Sequence, residues 1–183
     1  MRTRVSLVFL AILLLSFSAD AFDNQRKGFV IGAGLGAGPM TTDWERDGEI
    51  KRHSVGGLGL HWMIGYGLTS RDIVVVHRMV GFHFERGSDD VYSTFIEGQG
   101  LGITYFRYFR QASHSAFGAI GAGKFYQSLE HAEWGTGLLH GAGYQFSKRW
   151  QVGAYYIRGW TEADNGIKVD GGVLLYMITV VWK

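Results

Sequence analysis

The sequence predicts an all-β fold: an eight-stranded antiparallel up-and-down transmembrane β-barrel behind a cleaved signal peptide. Three observations lead there. Apolar residues recur with a period of two along nearly the whole chain, the periodicity of strands rather than helices. The face opposite them is rich in glycine, with 28 Gly in 183 residues against one Pro and no Cys. Beyond residue 21, Gly or a charge interrupts every apolar stretch before it reaches the ~20 residues of a spanning helix. The absence of cysteine excludes a disulfide framework, thiolate metal sites and lipoprotein acylation. A net charge of +2 without clustered Lys or Arg argues against a dedicated nucleic-acid binder.

Residues 1–21 read as a signal peptide. Arg2 and Arg4 form a positive start, Val5–Phe17 is an apolar run, and Ala19-Asp20-Ala21 is a small-residue cleavage site. The expected barrel domain is then 22–183. Its first strand, Gly28–Gly38, sets Phe29, Ile31, Ala33, Leu35 and Ala37 against Val30, Gly32, Gly34 and Gly36. The second, Gly57–Leu68, sets Leu58, Leu60, Trp62, Ile64, Tyr66 and Leu68 against Gly57, Gly59, His61, Met63, Gly65 and Gly67. Further strands are expected at Ile73–Phe84, Thr94–Tyr108, Ala116–Gln127, Gly137–Phe146, Gln151–Trp160 and Val173–Trp182. In the fourth, Leu101, Ile103, Tyr105 and Phe109 oppose Gly98, Gly100, Gly102 and Thr104. The fifth carries Ala and Gly on both sides and does not declare its faces.

In a soluble barrel the bulky face turns inward and the other carries Thr, Lys, Glu or Gln. Bare glycine is a poor choice for a water-exposed strand. Lipid outside reverses the arrangement, with large apolar residues toward acyl chains and small or polar ones within. Only helices and closed barrels satisfy every backbone group in hydrocarbon. Eight strands leave an interior that side chains can fill.

The connections carry opposite charge. Expected outer loops at Pro39–His53, Glu85–Ser93, Ser128–Gly135 and Thr161–Gly171 hold twelve acids and five bases, a net of −7. The expected turns Thr69–Asp72, Arg110–Ser115 and Ser147–Trp150, with both termini, hold seven bases and two acids, a net of +5. Aromatics such as Tyr66, Tyr105, Phe109, Tyr144, Phe146, Trp150, Trp160 and Trp182 fall near strand ends, where interfacial girdles lie.

On the strand Gly28–Gly36, the segment Gly141–Phe146 and the closing Val180-Val181-Trp182, the chain resembles the small Gram-negative outer-membrane barrels of the outer membrane protein X and outer membrane protein A transmembrane-domain type. The resemblance implies an outer-membrane location and contact with outer-membrane lipid and lipopolysaccharide. It also implies insertion by the barrel-assembly machinery through a closing-strand signal, here Tyr176, Ile178, Val180 and Trp182, and a monomeric barrel without cofactor.

Candidate sites follow. His61 and His77, with His83 toward the outer end, share the inner parity of one hairpin and are the metal-ligand candidates, His61 lying opposite His77 or Met79. Arg158, between Tyr156 and Trp160 on the outer face, is the candidate lipopolysaccharide contact together with Trp160. Asp43, Glu45, Asp47, Glu49, Asp89, Asp90, Glu162 and Asp164 form an expected acidic loop surface facing an external partner. Parity places Arg78 on the lipid face near mid-depth, unless a bulge turns it inward. Gly118–Lys124 imitates a phosphate loop but continues into Phe125, and Gly32–Ala37 imitates a dinucleotide fingerprint without a βαβ unit.

The expected role is non-catalytic: envelope integrity, adhesion or surface interaction through acidic loops. The alternatives are a narrow pore and a lipid A-modifying enzyme. The closing third loosely resembles lipid A deacylases, but the His-x-Ser pair of that family falls on Arg158 and Trp160, which serve as neither base nor nucleophile.

Overall fold

A computed structural model describes residues 26–46, 49–86, 92–128, 132–162 and 168–183. The signal peptide expected at 1–21 lies outside the described residues. Eight strands run in chain order: β1 (Gly28–Arg46), β2 (Glu49–Gly67), β3 (Asp72–Arg86), β4 (Tyr92–Tyr108), β5 (Ser115–Ser128), β6 (Ala132–Gln145), β7 (Trp150–Glu162) and β8 (Lys168–Trp182). Each pairs antiparallel with the next, and β8 returns to β1 with Trp182 opposite Ile31 and Ile178 opposite Leu35. The ring is closed through the apolar belt, which leaves no unpaired edge there; beyond Leu58↔Phe82 the extension of β2 pairs with β1 alone.

The bulky face is the outer one. Leu60 and Ile178 each expose 45% of their surface, and Phe29, Leu35, Ile103, Ile120, Leu138 and Tyr176 stand on the same side. At ~25 cal/mol per Å2 such a belt is unfavourable in water and favourable against acyl chains. The aromatics near the turns, Tyr66, Tyr105, Phe109, Tyr144, Phe146 and Trp150, are exposed on the same surface.

The lumen is fuller than a glycine-lined hollow. Its glycines are seats for large inward side chains. Gly137, Gly159 and Gly171 form one row across β6, β7 and β8. Phe125 of β5 lies over that row: a Cβ at Gly137 would stand 3.1 Å from its Cβ, one at Gly171 2.7 Å from its Cζ, and one at Gly159 inside the ring. Lower down, Tyr155 covers Gly141 and Gly153, and Phe117 covers Gly143. Phe106, Phe117 and Tyr155 meet with centroids 5.8 to 6.4 Å apart. β5 thereby declares its faces: Phe117, Ala119, Phe125 and Gln127 point inward, Ile120 and Lys124 outward.

β4 corrects the parity expected from sequence. Its pairing steps from Met79↔Gln99 to His77↔Gly102 on one side and from Gln99↔Phe125 to Leu101↔Lys124 on the other. Gly100 is the extra residue against both neighbours, a β-bulge. Below it Gly102, Thr104, Phe106 and Tyr108 face inward; above it the sense reverses and Glu97 is buried inside. Without the bulge, Glu97 would share the lipid face of Leu101 and Ile103. Gly98 permits the bend, with φ of +146° and with Met79 O only 2.5 Å from where a Cβ would sit. Arg78 stays on the outer face, opposite Trp62. The irregularity beside it turns Glu97, not Arg78.

The outer connections also differ from expectation. Residues expected as long loops are mostly wall, since the ladder of β1 and β2 continues through Asp43↔Arg52 to Arg46↔Glu49. Only 47–48, 87–91, 129–131 and 163–167 separate the strands at that end, while the other end has 68–71, 109–114 and 146–149. Beyond the hydrocarbon the outward face meets water, and the inward face carries buried polar groups such as Thr42, Thr161 and Gln127. Hydrophobic alternation therefore ceases while backbone pairing continues. Pro39, which has no N–H to donate, sits where the pairing of β1 with β8 is interrupted between Ala37 and Met40.

Candidate functional site

At the outer end, side chains of neighbouring strands form a lateral row on the lipid-side surface. Register places Lys124 beside Thr136, Thr136 beside Trp160, Trp160 beside Asp170, Asp170 beside Asp43 and Asp43 beside Arg52. Arg158, one outward step below Trp160, donates to both carboxylate oxygens of Asp170 at 3.1 and 2.6 Å. Its guanidinium carbon lies 5.4 Å from the Trp160 ring centroid. Arg52 grips Asp43 with two bonds of 2.7 Å. Lys124 is exposed. Asp43, Glu45, Lys124, Trp134, Glu162 and Asp170 line a groove of about 720 Å3 there. Exposed pairs of this kind contribute ~0–1 kcal/mol to stability, so their arrangement matters more for what they can contact.

The expected acidic surface is thus partly located. Asp43, Glu45, Glu49 and Glu162 stand on strand extensions and not on loops, whereas Asp47, Asp89, Asp90 and Asp164 lie outside the described residues. In the assembly-signal set, Tyr176, Ile178, Val180 and Trp182 share the outer face of the closing strand.

Inside the wall, His61 faces Met79 and Met63 faces His77 across β2 and β3. The two imidazoles meet edge to face with centroids 5.5 Å apart, and His77 Nε2 is 2.7 Å from Thr104 Oγ1. His83 does not join them. It stands six residues beyond His77, ~20 Å along an extended strand, and its Nδ1 bonds Gly56 O at 2.9 Å. Nearer the outer end, Glu97 accepts from Thr42 Oγ1 at 3.0 Å beneath Phe125.

The other mouth is sealed by a residue that in the sequence is one of several basic charges near the termini and turns. Arg26, nearly inaccessible, donates to Gln145 Oε1 at 3.0 Å and to the backbone carbonyls of Ser70, Arg110, Gln111 and Ala112 at 2.6 to 3.3 Å. Its guanidinium lies 4.0 Å over the Tyr108 ring. Burial pushes its pKa down, opposed by Tyr108; the five acceptors stabilise the cation where it stands. Lys183 Nζ reaches the same Gln145 oxygen at 3.4 Å. Desolvation, then repulsion from Arg26, bring Lys183 down to about 7. The plug draws on groups far apart in sequence, and only an unexplained Arg just ahead of the first strand hinted at it.

No family model matches the chain, and no curated protein matches it by sequence. Solved structures share its architecture. Neisserial surface protein A superposes with a TM-score of 0.51 at 16% identity, over 84% of this chain and 96% of its own. OprG from Pseudomonas aeruginosa gives a TM-score of 0.44 at 14% identity, over 88% and 99%. Ail of Yersinia pestis gives 0.41 at 19%, over 84% and 99%. Strand order, closure and the outward apolar belt make this chain an eight-stranded transmembrane barrel with the fold of the small outer-membrane proteins.

Proposed function

We propose that the protein is a non-catalytic barrel in the outer membrane of a Gram-negative bacterium, holding lipopolysaccharide at its outer rim and presenting a carboxylate-rich edge to basic or cation-bridged partners outside. The observation that carries this reading is the row from Lys124 to Arg52, with Arg158 held against Asp170 and Trp160. Cations flanked by aromatics at the edge of an apolar belt suit phosphate headgroups, and Arg158 can exchange the Asp170 carboxylate for a phosphate with the same two-pronged geometry. The neighbouring carboxylates suit the divalent ions that bridge such phosphates.

The filled interior, with Phe106, Phe117, Phe125 and Tyr155 buried across the bore, argues against a pore. For a lipid A-modifying enzyme, the two positions that would bear the catalytic pair are an ion-paired Arg158 and its ring partner Trp160. The test is lipopolysaccharide retained through detergent purification, measured by mass spectrometry of lipid A. Arg158→Ala with Lys124→Ala should lower it severalfold, and unchanged retention would refute the reading. An altered acyl pattern on expression would instead establish an enzyme, and unitary conductance steps in planar bilayers a pore.

A further inference from the structure

We infer that the lumen carries a soft-metal site, selective for a monovalent thiophilic cation such as Cu(I), built from His61, Met63, His77 and Met79. Register sets these four as a two-by-two patch on the inner wall, His61 opposite Met79 and Met63 opposite His77. Directly opposed residues have Cβ atoms ~4.5–5.5 Å apart; Met63 lies over Gly32 of β1, where a Cβ would stand 2.6 Å from its Cε, and rotation about its flexible side chain brings the sulfur to the patch. The imidazole centroids are 5.5 Å apart, a span two rings can bridge through one metal with metal–nitrogen bonds of ~2.0–2.1 Å.

The second observation is His61 itself. It is 3% exposed, and neither Nδ1 nor Nε2 has a hydrogen-bond partner among the described residues. Buried polar atoms are nearly always satisfied, so an imidazole with two unmet nitrogens calls for an explanation. Across the patch, the contact of His77 Nε2 with Thr104 at 2.7 Å supplies the outer hydrogen bond that typically orients a metal-binding imidazole.

The donor set decides the metal. Imidazole is a borderline donor that suits Zn, Cu, Fe and Ni, and the two thioethers tip the set toward Cu(I). All four donors are neutral, so a second positive charge would lie buried without a carboxylate in the set to balance it. A monovalent ion needs less compensation than Zn(II). Binding requires neutral imidazoles and involves no change of oxidation state.

The test uses the whole mature barrel refolded in detergent with Ag(I), a redox-silent stand-in for Cu(I), then desalted. One Ag(I) per chain by native mass spectrometry, with shifted Met63 and Met79 methyl resonances and no Zn(II) retained under the same conditions, is the expected result. Met63→Leu with Met79→Leu keeps core volume and should weaken binding beyond the ~10–100-fold that disturbing an outer-shell partner costs. His61→Phe should do the same, with heat-dependent gel mobility reporting folding. Absence of bound Ag(I), shifts confined to Met40 and Met177, equal retention of Zn(II), or unchanged affinity in both folded variants would each overturn the inference.

Discussion

The two ends of the barrel are closed by opposite means. At the turn end one buried cation, Arg26, gathers carbonyls from two turns and the Gln145 amide oxygen, with Tyr108 beneath it and Lys183 beside it. At the outer end an aromatic ring, Phe125, fills the bore over a glycine row, and a carboxylate, Glu97, lies inside where a bulge has turned it. The first closure is polar and drawn from distant parts of the chain. The second is steric, and depends on which residues lack side chains. The difference teaches where each end is vulnerable: the outer end to added atoms, the turn end to lost donors.

The largest effect belongs to the steric closure. Gly159→Val drives a side chain into Phe125 and should cost ~3 kcal/mol or more, read as a lowered urea midpoint. Gly56→Val, where the added Cβ meets nothing within 4 Å, should be nearly silent. Equal effects would show that the glycines do not act as seats. Next comes the bulge. Deleting Gly100 should turn Glu97 toward lipid, at a cost of up to ~2 kcal/mol for the charge beyond the backbone rearrangement. Adding Glu97→Leu should recover part of the loss in the deletion but not in the parent; no such recovery would place the bulge elsewhere.

Arg26→Met tests the polar closure. Bonds to a charged group contribute ~1.5–3 kcal/mol, so a loss near 2–3 kcal/mol is expected by urea unfolding, against under ~1 kcal/mol for Asp72→Asn at the exposed Arg107 pair. The same closure also sets a pH slope. Lys183 titrates lower folded, at about 7, than its ordinary 10.5. Above about 7 the unfolded chain therefore holds more protons, and stability rises with pH until about 10.5. Lys183→Met should flatten that rise in thermal unfolding, and an unchanged slope would place Lys183 in open solvent.

The fold was legible wherever two solvents differ across a strand. Leu58 to Leu68 declares its lipid face because oil and lumen demand different side chains. Past the belt that contrast ends, so the extension through Asp43 and Arg52 reads as loop, although Asp47-Gly48 between Arg46 and Glu49 is a strong two-residue hairpin signal. β4 misled because a bulge reverses parity, and Gly98-Gln99-Gly100 was its only trace. β5 was silent since Phe117 and Phe125 sit eight residues apart, with glycine and alanine between them inside. Within the candidate sites, hairpin parity was enough to bring His61 and His77 together. The partners of Arg26 and Arg158 required register across several strands.

The most direct test of the central claim is a set of single cysteines at Leu60 and Ile178 outside and at Met63 and Leu175 inside, simple to make in a chain that has no cysteine. Each is spin-labelled before refolding into bilayers and probed with lipid-soluble oxygen. The account predicts strong oxygen relaxation at Leu60 and Ile178 and little at Met63 and Leu175. The reverse pattern, or equal relaxation at all four, would contradict it.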